Sequence, residues 1–133
     1  MKKNIFILVL SLMTSILFAQ GVQETHKSSI DFLCTGIGES KNDPKNNEYP
    51  VKIIFASTSR ALYTDIDVSI YSVQKNSENF LTKIFCEESW LLMRLEPGEY
   101  LAKGKDARGQ EKNCRLNVKK DMKAQCVLTW PDL

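Results

Sequence analysis

Histidine and cysteine carry most of the chemistry available to a short chain, and here they number one and four. His26 lies in a polar stretch with only Glu24 and Asp31 near it. A metal ligand or general base needs partners held close by, and a single imidazole excludes every mechanism that uses two. It reads as a surface histidine. Glu87-Glu88 offers an acid and a base, but neighbouring residues on a strand point to opposite faces, so the pair reads as a solvated loop. Gly36-Ile37-Gly38 is too short to cradle a phosphate and lacks the strand and helix such a loop requires. Trp90 and Trp130 suit a sugar-stacking platform, yet both sit in apolar runs, where burial is the ordinary fate of an indole. Arg60, Tyr63, Tyr71 and Tyr100 are further binding-surface candidates, with no pattern that places them on one face. The expectation is a non-enzyme: no catalytic residue, no metal ligand and no cofactor.

The elements that hold these residues begin after an address. Met1-Lys2-Lys3-Asn4 is basic, Ile5 to Phe18 is almost wholly apolar, and Ala19 ends the run. This is the three-part pattern of a secretory signal over residues 1–19, with cleavage after Ala19. The apolar run falls short of the ~20 residues of a spanning helix, so no stable membrane anchor is expected after cleavage. Residues 20–29 read as a flexible start to the mature chain. The compartment expected is periplasmic or secreted.

Charge follows the same division. The chain carries 18 Lys+Arg and 16 Asp+Glu, and the signal takes Lys2 and Lys3 with no acid, so the mature chain is neutral. A nucleic-acid binder keeps a basic excess, and no nucleic-acid partner is expected. Eight basic residues nevertheless crowd between Lys103 and Lys123 against Asp106, Glu111 and Asp121. Such a run either meets an anionic partner or keeps a solvated hairpin from pairing at its edge; the second reading is preferred.

Four cysteines in an exported chain argue for two disulfides, and four thiols allow three pairings. Cys114, Leu116 and Val118 share one parity, as do Met122, Ala124, Cys126, Leu128 and Trp130. If these form a hairpin turning at Lys119-Lys120-Asp121, Cys114 stands opposite Cys126, within disulfide reach. Cys114–Cys126 is therefore preferred, leaving Cys34–Cys86.

Period-2 alternation dominates the remainder. Ile30, Phe32 and Cys34 start a short strand, and the loop from Gly36 to Tyr49 has room for a helical turn. Val51, Ile53 and Phe55 alternate with Lys52, Ile54 and Ala56, and Ile66, Val68 and Ile70 with Asp65, Asp67 and Ser69. Gln74 to Glu78 reads as a polar turn, Phe80 to Phe85 as a strand, and Trp90 to Met93 as an apolar burst. Pro97-Gly98 suits a tight turn. Short strands between turn signals predict one all-β domain over residues 30–131, a six- or seven-stranded antiparallel β-sandwich.

Four segments carry a resemblance: Tyr49 to Ala56, Ala61 to Ile70, Trp90 to Tyr100, and Val127-Leu128-Thr129-Trp130. Together they resemble a bacterial family of small exported proteins with a carboxypeptidase regulatory-like domain, which has a transthyretin-like sandwich. Glu88-Ser89 stands where that family has a Gly-Pro pair, and Pro44 breaks the acidic helical stretch expected after Gly36-Ile37-Gly38-Glu39. The resemblance implies no catalytic residues. The function expected is that of a non-enzymatic interaction module with an envelope or secreted protein as partner. The alternative is a module binding carbohydrate or a cell-wall polymer.

Overall fold

The computed structural model describes residues 30–132, and the signal segment, residues 20–29 and His26 lie outside them. Eight strands follow one another: β1 (Phe32–Thr35), β2 (Val51–Ser57), β3 (Ile66–Gln74), β4 (Ser77–Cys86), β5 (Trp90–Met93), β6 (Gly98–Lys105), β7 (Glu111–Val118) and β8 (Ala124–Trp130). Two 3-10 turns, Gly38–Asn42 and Pro44–Glu48, fill the long loop between β1 and β2. Among the described residues, no helix is long and apolar enough to cross a membrane.

The strands form two four-stranded sheets, ordered β1-β5-β2-β8 and β4-β3-β6-β7. Alternation explains why they face each other. Val51, Ile53 and Phe55 are buried on one face of β2, and Ile66, Val68 and Ile70 on one face of β3. Each sheet therefore has an apolar face that water disfavours, and closing the two faces together removes both from solvent. Leu91 and Met93 join from β5, Ala102 from β6, Leu116 and Val118 from β7, and Leu128 and Trp130 from β8. Gly104 of β6 leaves room for side chains packed against the sheet. A Cβ there would sit 2.8 Å from Leu128 Cδ1 and 3.1 Å from Ile66 Cγ2.

The all-β, two-layer expectation holds, with three corrections. There are eight strands among the described residues rather than six or seven. The sandwich is not wholly antiparallel: β2 and β8 run parallel, Val51 opposite Ala124 through Ser57 opposite Trp130. The third concerns the C-terminal strands, which form no hairpin. β7 bonds to β6 and β8 to β2, in different sheets. Cys114 and Cys126 both point inward, so their shared parity fits two strands facing each other across the core as well as two side by side.

The disulfides are Cys34–Cys86 and Cys114–Cys126, with Cα atoms 5.6 and 6.3 Å apart. Each joins an edge strand of one sheet to an edge strand of the other, β1 to β4 and β8 to β7. Both lateral edges of the sandwich are thus stapled.

Turn chemistry sets the rest. Lys75 and Asn76 both take positive φ in the two-residue β3–β4 connection, the backbone that suits the twist of a hairpin. The polar turn is thus shorter than Gln74 to Glu78, whose outer residues pair in the ladder. Leu81 is an extra residue in β4, because Ile70 pairs with Thr82 and Tyr71 with Phe80. Pro97-Gly98 leads into β6, where the Tyr100 hydroxyl donates to the Glu96 carbonyl at 2.7 Å and pins the corner.

The β6–β7 turn is organised by Asp106, a buried carboxylate. It accepts hydrogen bonds from the Arg108 and Gln110 amides, from Arg108 Nε and from the Tyr63 hydroxyl. Burial pushes its pKa up, but the Gln110 amide and the Arg108 guanidinium outweigh that and hold it below the ordinary carboxylate value. A depressed folded-state pKa means that the ionised group stabilises the fold fully above the unfolded value. That contribution is lost as pH falls through the folded value. Stability should therefore decline below about pH 4, and Asp106→Asn should flatten the decline while lowering stability at neutral pH. Urea unfolding across an acid pH series measures both.

Candidate functional site

The outward face of the β1-β5-β2-β8 sheet carries a groove of about 420 Å³, roofed by the two 3-10 turns. Its floor comes from Lys52 of β2, Trp90 and Leu92 of β5, and Ala124 and Gln125 of β8. Strand pairing brings them together: Leu92 pairs with Lys52, and Lys52 with Gln125. Inward-facing neighbours at Val51, Ile53 and Leu91 are fully buried in the core, so the alternation that builds the core also sets Lys52, Trp90, Leu92 and Gln125 outward, while Ala124 reaches the groove only at the start of β8 and packs against the core.

Trp90 stands between β1 and β2. On the β1 side it packs against Gly36, where a Cβ would come within 2.7 Å of the indole Cγ. From β2, the Lys52 ammonium lies 3.4 Å from the ring centroid. Ammonium over indole is a favourable electrostatic arrangement, about 0.5–2 kcal/mol depending on desolvation. Burial lowers the Lys52 pKa, and among the described residues no carboxylate pairs with it. Gly36 also has φ +109°, a conformation L side chains rarely adopt. Gly36→Ala should therefore both strain the backbone and push Trp90 outward, lowering stability by about 2 kcal/mol. A lower urea midpoint with altered tryptophan emission is the expected readout.

The roof is held by specific bonds. Asp43, the one acid among the lining residues, turns its side chain to accept from the Lys45 amide. Asn46 Nδ2 donates to the Ser40 and Lys41 carbonyls, which leaves Oδ1 buried without a partner. Glu88 Oε1 accepts from the Ile37 amide and the Ser40 hydroxyl, tying the β4–β5 loop to the first 3-10 turn. Lys123 reaches in from the β7–β8 connection, its ammonium donating to the Asn47 and Tyr49 carbonyls. Tyr49 is buried beside Asp31 and Arg94; burial first, then the Asp31 carboxylate, raises its pKa.

Of the residues singled out from sequence, Trp90 and Lys123, the end of the basic run, line the groove. Trp130 is fully buried, its Nε1 donating to the Gln110 carbonyl and its ring stacked on Tyr63 at 5.4 Å. A platform using both tryptophans is thereby ruled out. Arg60 is exposed in the turn after β2, Tyr71 lies on the outer face of the other sheet against Phe80, and Tyr100 pins its corner. These aromatic and basic candidates share no face. Glu88 supports the roof, and Gly36 backs Trp90. The basic run disperses: Arg108 pairs with Asp106, Lys103 with Glu78 and Arg115 with Glu99, while Lys123 turns to the groove. Among the described residues no group of three metal-ligating side chains converges.

Sequence reasoning missed Lys52 and Asn46, and saw Lys123 only as part of a basic run. A signal existed for the first, since a lysine interrupts the apolar run Tyr49-Pro50-Val51-Lys52-Ile53-Ile54. The other two approach it only through the fold. No protein-family model matches this chain, and no curated protein sequence matches it either.

Proposed function

We propose that this chain is a non-enzymatic exported interaction module whose recognition surface is the Trp90–Lys52 groove. One observation carries the reading: a partly buried ammonium is held over an indole inside a concavity, and among the described residues no carboxylate forms an ion pair with it. Such a cation gains most from an anionic group brought by a partner. The groove's polar groups are mostly ammoniums and carboxamides, which bind and orient; its one acid, Asp43, accepts from the Lys45 amide through Oδ1. Two inter-sheet disulfides fit a chain working in an oxidising compartment. The partner in this reading is a component of the envelope or of the secreted milieu.

Mild crosslinking of the disulfide-intact protein in an envelope extract tests the proposal. A saturable partner should be captured by the native chain and lost in Lys52→Glu. Lys103→Glu, on the opposite sheet, should retain it. Absence of any saturable partner, or capture indifferent to Lys52→Glu, overturns the groove as the recognition surface.

A further inference from the structure

Strand β4 ends its sheet, and among the described residues no strand pairs with its free side. It is ten residues long and carries three exposed large apolar side chains, Phe80, Leu81 and Phe85. An edge of this kind is ordinarily shortened, charged or covered, because its free N–H and C=O groups template pairing with another chain. The other edges follow that rule: β1 has four residues, β7 exposes no large apolar side chain and β8 only Val127. Phe32 of β1, stapled to the β4 edge by Cys34–Cys86, is exposed as well.

Which backbone groups of β4 are free follows from its turn. A two-residue loop with both φ values positive closes on a hydrogen-bonded pair, here Gln74 and Ser77. Such pairs alternate along an antiparallel ladder, so Ser77 and Asn79 bond to β3, while the backbone of Glu78 and Phe80 turns to the free side. Leu81, the extra residue, shifts the phase: Thr82, Ile84 and Cys86 bond to β3, and Lys83 and Phe85 turn outward. The free positions 78, 80, 83 and 85 are thus symmetric about the bulge. A second β4 laid antiparallel sets Glu78 opposite Phe85 and Phe80 opposite Lys83, each twice, and every free position meets a free one. A slip of two residues either way loses the match at Phe80 or at Lys83.

The side chains agree with this register. Phe80 lies edge-on to Tyr71, Glu78 pairs with Lys103, Lys83 pairs with Asp67, and Phe85 stands opposite Asp67, which puts all four on the outer face. Lys83 of the second copy then comes directly beside the Phe80 ring and diagonally beside Glu78, within reach of a cation–π contact and an ion pair. No like charges are opposed. We propose that this chain forms a two-fold dimer through β4, joining two four-stranded sheets into one. Both copies use the same edge, so the pairing is isologous and closes at two. The groove lies on the outer face of the other sheet, and the dimer stands or falls independently of it.

Sedimentation of the native, disulfide-bonded protein over a concentration series tests the dimer, together with hydrogen exchange followed amide by amide. A monomer–dimer equilibrium is expected, with the Glu78, Phe80, Lys83 and Phe85 amides protected in the dimer and released on dilution. Lys83→Pro removes an outward N–H and no bond to β3, a change an edge strand tolerates. It should weaken the dimer about tenfold or more. Phe80→Ser, at a side chain 58% exposed in the single chain, should weaken it too without altering the backbone. Val127→Ser, on the β8 edge, should leave it unchanged. A monomer at every concentration up to about 1 mM, assembly beyond two copies, or a dimer indifferent to both β4 variants overturns the inference. Protection of the four amides only when an envelope extract is added would give the edge to a foreign strand and overturn it as well.

Discussion

Replacing Cys34 and Cys86 together by alanine should lower the unfolding free energy by about 4 kcal/mol, the larger of two disulfide effects. The bridge spans 52 residues, and the chain-entropy model scales with the logarithm of the loop it closes. The Cys114–Cys126 bridge spans 12, for which the same model gives about 3 kcal/mol. Cys86 is also fully buried, so its replacement adds a small packing loss. Urea unfolding of each double-alanine variant under non-reducing conditions gives the two values. The reverse order, with the shorter bridge contributing more, would show that unfolded-chain entropy is not the main source. The effect extends to the groove. Cys34 lies two residues before Gly36, the backing of Trp90, and Cys126 follows Gln125 on the floor. Loss of either bridge should therefore weaken any ligand of the groove beyond what global stability explains.

Trp130→Ala should lower stability by about 3–5 kcal/mol, the largest effect of any single substitution considered. The indole is wholly buried between the layers, edge-on to Phe55 at 6.3 Å and stacked on Tyr63 at 5.4 Å. Truncation opens a cavity that stiff β-branched neighbours such as Ile66 cannot fill. It also leaves the Gln110 carbonyl without its indole donor, and that carbonyl's residue supplies an amide to Asp106. The loss should therefore loosen the acid-sensitive corner as well as the core. Trp130→Phe keeps most of the volume and should recover over half of the lost stability. Thermal and urea unfolding of the pair separate the packing loss from the hydrogen bond. Equal destabilisation by both variants would place the effect in the indole N–H instead.

The contrast between the two tryptophans shows where sequence reading stops. Trp90 and Trp130 each lie in an apolar run on a strand. One ends buried in the core, and the other lines a groove on an outer face beside Lys52. Alternation assigns each to a face relative to its immediate neighbours. It does not say which face another layer will cover. For Trp130 that cover is the Tyr63 ring and the β6–β7 turn; for Trp90 it is the loop after β1. The disulfides teach a related point. The parity of Cys114 and Cys126 is a local property, and it is the same whether their strands pair within one sheet or oppose each other between two.

From the residues alone come the alternating inner faces of β2 and β3, the turns that interrupt them, and the all-β, two-layer class. Each depends on interactions within a few residues: side chains on a strand alternate by geometry, and glycine, proline and asparagine bend the backbone where they stand. Tertiary structure alone decides the assignment of strands to sheets, the parallel pairing of β8 with β2, and the groove. Lys52 and Lys123 are distant in the chain and come to line one groove only when the β7–β8 connection delivers β8 alongside β2. That choice rests on the summed burial of both sheets, and no local pattern encodes it.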